Sequence, residues 1–167
     1  MMQSEREGRE DHFATELLRL IEQCLDHGSR LEALLRDELS ALESQDVSAL
    51  RSISSSKELC VRSMESLESE RRTLCTRAGF AADEAGMGDM LKWCDQSNVV
   101  TPVWNSLLQV IKRCESLNRT NGAICRMRYE HVVNVLTAFS GGDGATETYG
   151  PGGQSAPRFE QHALARI

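Results

Sequence analysis

Residues 50–78, LRSISSSKELCVRSMESLESERRTLCTRA, identify the fold class of this chain. One row of positions in this stretch recurs at alternating steps of three and four residues, which is the spacing of a single face of a long α-helix. The nine positions of the row are Leu50, Ile53, Lys57, Cys60, Met64, Leu67, Arg71, Leu74 and Ala78. The pattern predicts a helix that begins near Val47 and packs against other helices along its length.

Two of the nine positions carry a basic side chain, Lys57 and Arg71. A charge inside an apolar stripe costs free energy unless its stem packs and its head group reaches water or an acid. We predict that the acid is one of Glu38, Glu32 and Glu16 on the preceding helix. We interpret the two basic residues as fixing the alignment of neighbouring helices, since a polar residue in a helical seam commonly sets register.

A first long helix is predicted over residues 11–43, where two adjacent rows of apolar residues recur at helical spacing. An apolar face of this width indicates that the helix packs against two neighbouring helices. Gly28 interrupts these rows, and because an interior glycine costs about 1 kcal/mol relative to alanine, we expect a bend or local fraying there. The Ser-Gln-Asp sequence at residues 44–46 predicts a cap and a short turn, so the first two helices should be antiparallel. Residues 1–10 are expected to form a flexible N-terminus.

The second half of the chain predicts one short helix and one long helix. Gly79 is typical of a helix end, and a segment of one or two turns is expected over residues 89–95. Thr101 and Pro102 predict the start of a third long helix, with the threonine as N-cap and the proline at the first helical position. That helix should reach Ser140. The glycine- and proline-rich composition of residues 141–167 predicts a disordered tail.

Together these elements predict an all-α fold of three long antiparallel amphipathic helices with a short extra helix and a disordered C-terminal tail. We expect the helices to form a coiled-coil-like incomplete bundle over residues 11–140, because three stripes of this width cover one another only in part. A groove or a dimer interface should therefore remain. The sequence leaves open whether the free protein is a monomer or a homodimer.

Composition excludes several classes of function. The chain has 167 residues and a formal net charge of -6, whereas nucleic-acid-binding proteins usually present a basic face. Its apolar runs fall short of the roughly 18 residues of a membrane span, so we expect a cytoplasmic protein. The six cysteines are widely spaced without a Cys-x-x-Cys pair, which favours reduced core residues over disulfides. Cysteines and histidines share no ligand spacing, so we expect neither a metal nor a cofactor.

Motifs of catalysis are absent from the sequence as well. It contains no nucleophile elbow, no phosphate-binding glycine loop and no His-Glu-x-x-His. His27 could act as the phosphorylated residue of a histidine phosphotransfer bundle, but a solvent-facing or seam histidine is the commoner case. We therefore expect a protein that binds another protein and is not an enzyme.

Three sequence motifs resemble those of the FlgN family of flagellar type III export chaperones. The second helix carries Lys57, then Leu67 and Glu68, then an arginine pair at residues 71–72. The third long helix carries LNRTNG at residues 117–122, and the tail carries TYGPGGQ at residues 148–154. The three motifs occur in the order and on the elements that the family shows.

The resemblance implies a cytoplasmic chaperone that captures the helical C-terminal segments of hook-associated junction proteins (FlgK and FlgL type). It would prevent their premature assembly and deliver them to an export gate protein (FlhA type), with no nucleic acid and no membrane insertion involved. Tyr149 would dock the loaded complex on the gate. The client-binding face would be on the third long helix, formed by Leu107, Leu108, Ile111, Cys114, Leu117, Asn118, Asn121, Ile124 and Cys125.

Other interpretations of the same pattern stay open. The chain could be a self-associating coiled-coil adaptor, or a chaperone of another flagellar client such as flagellin or the filament cap. Asn118 and Asn121 could fix register within the chain instead of contacting a client. Tyr149 could be a tail residue without a role.

Overall fold

The structure is a computed structural model that describes the backbone of residues 2–140 and the side chains of residues 8–139. The described part contains four helices and no strand: α1 (Met2–Ser44), α2 (Val47–Ala78), α3 (Glu84–Cys94) and α4 (Val100–Ser140). The all-α prediction is confirmed. The chain divides into two compact units, Met1–Tyr129 and Glu130–Ile167. The predicted C-terminal tail lies outside the described residues.

Helix α1 begins at Met2, well before the predicted start at residue 11. One reason is an anchor in its early turns, where the Glu10 carboxylate is buried and accepts a hydrogen bond of 3.0 Å from Nε2 of Gln96. The mixed charges of this stretch are also compatible with helix, since charged side chains three and four residues apart face one another.

The predicted signals at both ends of α2 are confirmed. Asp46 is the N-cap, and its Oδ1 accepts a hydrogen bond of 2.9 Å from the N–H of Ala49. Gly79 ends the helix with φ 93°, in the left-handed region that favours glycine, and its N–H donates to the carbonyl of Thr76 at 3.0 Å. Both ends are therefore fixed by local sequence.

Helix α3 begins at Glu84, earlier than the predicted segment at residues 89–95. The carboxylate of Asp83 caps it by accepting a hydrogen bond of 2.8 Å from the N–H of Gly86. A Cβ at Gly86 would lie 2.0 Å from the carbonyl oxygen of Ala81. This glycine permits a close approach of two backbone segments in the first turn, whereas the sequence pattern placed it before the helix.

Helix α4 begins at Val100, and the prediction that Thr101 is its N-cap is wrong. The capping group is the Asp95 carboxylate, which accepts backbone hydrogen bonds from Val99 (2.8 Å), Val100 (3.0 Å) and Thr101 (2.7 Å) and one from the Thr101 hydroxyl (2.6 Å). Burial would raise the pKa of Asp95, but these hydrogen bonds outweigh it and hold the pKa below its usual value. Asn98, at φ 54°, turns the chain back toward this carboxylate.

Ion pairs between α1 and α2 show that these helices are antiparallel, as predicted. Nζ of Lys57 lies 2.8 Å from Oε2 of Glu38, near the end of α1. NH1 of Arg77 lies 3.7 Å from Oε1 of Glu16, near its beginning. Lys57 therefore finds one of its predicted acids.

Arg71 pairs with none of the three glutamates of α1 that were predicted for it, so the prediction is wrong for this residue. Its guanidinium donates to Glu68 on its own helix, with Nε 2.7 Å from Oε2 and NH2 2.8 Å from Oε1. The ring of Trp104 on α4 lies 5.6 Å from its Cζ, and NH2 also donates to the carbonyl of Ala82 at 3.3 Å. The buried arginine thus joins α2 to α4 and to the segment before α3, while Glu32 is bonded by other arginines.

The main core of the first unit lies where α1, α2, α3 and the start of α4 meet. Its fully buried side chains include Leu17, Leu20, Leu74, Met87 and Met90. All six cysteines are free thiols; five are buried, as expected of reduced core residues, whereas Cys125 is exposed and the core prediction is wrong for it. None of the helices in the described part is long and apolar enough to cross a membrane.

Gly28 does not bend or fray α1, contrary to the prediction, because the helix runs through it without interruption. A Cβ built there would lie 3.2 Å from Cγ1 of Val110, 3.7 Å from Cε of Met64 and 3.8 Å from Cδ1 of Leu107. The missing side chain lets side chains of α2 and α4 close over α1 at this point. Gly28 is thus a packing residue.

We predict that Gly28→Leu lowers the free energy of unfolding by about 1–3 kcal/mol, because the added side chain overfills a packed contact. The matched control is Gly8→Leu on the same helix, where a Cβ would meet nothing within 4 Å. The control should gain up to about 0.8 kcal/mol from helix propensity. Urea unfolding measures both; equal effects in the two variants would contradict the packing role.

Candidate functional site

The nine residues of α4 that the sequence singled out divide into three groups by exposure. Leu107, Cys114 and Asn121 are buried, Leu108, Ile111, Leu117 and Ile124 are half-buried, and Asn118 and Cys125 are exposed. The buried members pack within the first unit. The predicted face of α4 therefore serves the fold at some positions and is accessible at others.

Asn121 fastens α4 to α1. Its Nδ2 donates to the carbonyl oxygen of Leu35 and to Oε2 of Glu38, both at 2.8 Å. Glu38 also accepts hydrogen bonds of 2.8 and 2.9 Å from Nζ of Lys57. Asn121, Glu38 and Lys57 thus form one polar connection across α4, α1 and α2. The side chain of Asn121 is only 2% exposed, and within the described residues its Oδ1 has no hydrogen-bond partner.

A second polar contact between α1 and α4 is centred on the buried carboxylate of Glu32. Arg113 donates to it through Nε at 2.9 Å and through NH2 at 3.1 Å, and Arg36 donates to it from the next turn of α1. The pKa of Glu32 is lowered below its usual value, chiefly by the hydrogen bond from Arg113. Burial acts in the other direction and would by itself raise the pKa. The carboxylate is therefore held ionised between two cations.

These contacts show that α1 and α4 run parallel. Gly28, Glu32 and Leu35 of α1 meet Cys114, Arg113 and Asn121 of α4, respectively, and the Cys114 thiol lies 3.6 Å from the Gly28 carbonyl oxygen. Consecutive long helices therefore alternate in direction, and α1 and α4 are the parallel pair. The packing holds one face of α4 up to Asn121.

The spacing of three and four residues that α4 uses in this packing continues into the second unit. There the same sequence pattern places Val132, Val135 and Phe139, whose side chains are 54%, 39% and 79% exposed. We call these three residues the distal strip. Apolar side chains at such spacing normally pack against a neighbouring helix.

Exposure of large apolar side chains is concentrated on α4 among the described residues. Seven of the ten such side chains belong to it, and they are Met127, Tyr129, Val132, Val133, Val135, Leu136 and Phe139. The sequence placed the last members of this set on the helix but assigned them no role. Periodicity identifies such a stripe, but it does not say where along the helix a neighbour covers it.

An open groove of about 720 Å³ between α1 and α2 contains His27 together with polar residues such as Ser63 and Glu70. The imidazole is half-buried and its Nδ1 is buried without a hydrogen-bond partner in the described part. A phosphotransfer histidine has to present its ring to another protein, so this placement does not favour that role. Within residues 8–139, no three histidine, cysteine or acidic side chains are grouped as metal ligands. Tyr149 lies outside the described residues.

Comparison with models of protein families gives a match to the family described as FlgN protein, over residues 13–157. The matched range covers well over half of the chain and includes α2, α3, α4 and most of α1. Searches of curated proteins and of solved structures give no match.

We predict that the two asparagines of the LNRTNG motif differ in their effect on stability. Asn121→Ala should lower the free energy of unfolding by about 1–3 kcal/mol, because it removes the buried bonds to Leu35 and Glu38. Asn118→Ala is the matched control at an exposed position of the same motif and should change it by no more than about 0.5 kcal/mol. Thermal or urea unfolding measures both, and a large loss in Asn118→Ala alone would contradict this assignment.

Proposed function

The chain belongs to the FlgN family of flagellar export chaperones, and we propose that its clients are the C-terminal helical segments of hook-associated junction proteins. In this proposal the protein acts in the cytoplasm, keeps its clients from assembling early and delivers them to the type III export gate. Such a role needs a reversible binding face and a docking element, and it needs no catalytic group.

The observation that carries the client proposal is the exposed distal strip of α4. Its three side chains are spaced as in a helical seam, and a helix with anchors at the same spacing can pack against them. Monomeric proteins rarely leave contiguous apolar surface of this kind without an interaction partner. We infer that a client helix completes the seam that α4 leaves open.

Of the nine residues predicted for the client-binding face, we propose direct client contact only for the exposed ones. Leu107, Cys114 and Asn121 are engaged within the first unit, so a client would reach them only through rearrangement. Asn118 and Cys125 are exposed and accessible without it. We propose that these two contact the client, while the buried members hold the helix that presents them.

Delivery requires a second element, for which we propose Tyr149 in the TYGPGGQ motif. The aromatic ring offers a large apolar surface with a hydroxyl group, a combination enriched among residues that dominate binding energies. Because this motif is separate in sequence from the distal strip, one chain can hold a client and contact the gate at the same time.

We predict that a purified C-terminal fragment of a junction protein co-elutes with this chain on gel filtration. Val135→Asp should weaken the complex at least about tenfold, since a charge at the centre of an apolar contact removes a large share of binding energy. Val133→Asp is the matched control, because Val133 is 40% exposed against 39% for Val135 and lies off the strip. Co-elution with flagellin or filament-cap fragments in place of junction fragments would overturn the client assignment.

We predict that Tyr149→Ala leaves the affinity for the client fragment unchanged and weakens binding to the cytoplasmic domain of the export gate protein. Removing a ring that fills a partner's pocket typically costs more than about 1 kcal/mol, or about a fivefold loss. Thr148→Ala, its neighbour in the same motif, is the control and should bind the gate normally. A loss of client affinity in Tyr149→Ala would instead place the tyrosine in the client-binding face.

A further inference from the structure

The distal strip leaves apolar surface exposed on the second unit when no client is present. The Phe139 side chain alone is 79% exposed, and Val132 is 54% exposed. Exposed apolar surface of this kind favours self-association or aggregation. A protein that waits for its client therefore gains from a temporary cover.

The last residues of the chain have the sequence expected of such a cover. Residues 158–167 read RFEQHALARI, with Phe159, Ala163 and Ile167 at i, i+4 and i+8. This is the spacing of one apolar face of a helix. The stretch between these anchors holds the polar residues Glu160, Gln161, His162 and Arg166 together with the apolar Leu164 and Ala165. The segment thus has the anchors of a short helix that packs in an apolar seam.

The length of chain between the strip and this segment permits them to meet within one molecule. The 17 residues 141–157 follow α4 directly, and a stretch of that length can span up to roughly 60 Å. The strip itself extends over about 10 Å of helix. A short tether gives the segment an effective concentration on the order of 1 mM at the strip, far above that of a second copy in dilute solution.

We propose that residues 158–167 occupy the distal strip in the free chain, with Phe159 and Ile167 packed on Val132, Val135 and Phe139, and that a client displaces them. This proposal rests on the proposed function for the identity of the client, although the intramolecular contact itself does not.

Hydrogen exchange of the full chain at low micromolar concentration tests the contact. In the double variant Phe159→Ser, Ile167→Ser, the amides of residues 130–139 should exchange about fivefold faster than in the parent chain. This factor is expected if the segment binds the strip with a Kd of roughly 0.25 mM at an effective concentration of about 1 mM. The control Gln161→Ser changes a polar residue of the same segment and should exchange at the parent rate. Because the substitutions lie outside α1 to α4, the first unit is left intact.

Two results would overturn the proposal. Identical exchange in the parent chain and the double variant would show that the segment does not cover the strip. Protection that rises with chain concentration would assign the cover to a second copy.

Binding of the junction-protein fragment separates this inference from the proposed function. The double variant should bind the fragment about fivefold more tightly, because no internal segment competes. If the double variant exchanges faster but neither chain binds the fragment, the proposed cover is supported and the client assignment is refuted. Equal binding with unchanged exchange would refute the cover and leave the client assignment standing.

Discussion

The parallel packing of α4 against α1 determines which parts of the last helix are covered and which stay exposed. It is tight at Gly28, where an added Cβ would lie 3.2 Å from Cγ1 of Val110 on α4. It is aligned by two polar contacts, from Arg113 to Glu32 and from Asn121 to the carbonyl of Leu35. Since buried polar groups without partners cost free energy, a shift of α4 along α1 would be penalised at both contacts. The register of α4 is therefore defined by specific chemistry as well as by apolar packing.

This alignment separates the two uses of one helix. Up to Asn121, the apolar stripe of α4 packs within the first unit. Val132, Val135 and Phe139 continue the same spacing, but their side chains are exposed. A chaperone has to stabilise its own fold and still offer apolar surface to a client, and a long helix can do both at different points. The proposed cover by residues 158–167 addresses the remaining cost, which is exposed surface in the absence of a client.

Local chemistry explains which features of the fold could be predicted. Asp46, Gly79 and the stripe of α2 were correct because capping and periodicity are encoded within a few residues. The predicted bend at Gly28 was wrong because helix propensity gives only the local cost of a glycine. It does not show that another helix packs closely at that position. Thr101 was displaced as a cap by Asp95, which reaches the helix only because the chain reverses at residue 98.

The candidate site shows the same division. Periodicity identified α4 as the amphipathic helix of interest, but Asn118 and Asn121 looked equivalent until the position of α1 fixed which of them is covered. The distal strip lies within the predicted third long helix, yet the exposure of its side chains depends on where neighbouring helices pack. The role of Tyr149 rests on the family resemblance and on the tail motif in the sequence.

Hydrogen-exchange mapping of the complex with a junction-protein C-terminal fragment decides whether α4 binds the client. If α4 presents the client-binding face, addition of the fragment protects amides in residues 130–139 and leaves those lining the α1–α2 groove around His27 unchanged. Protection of that groove, with no change in residues 130–139, would contradict the assignment of α4 as the client-binding helix.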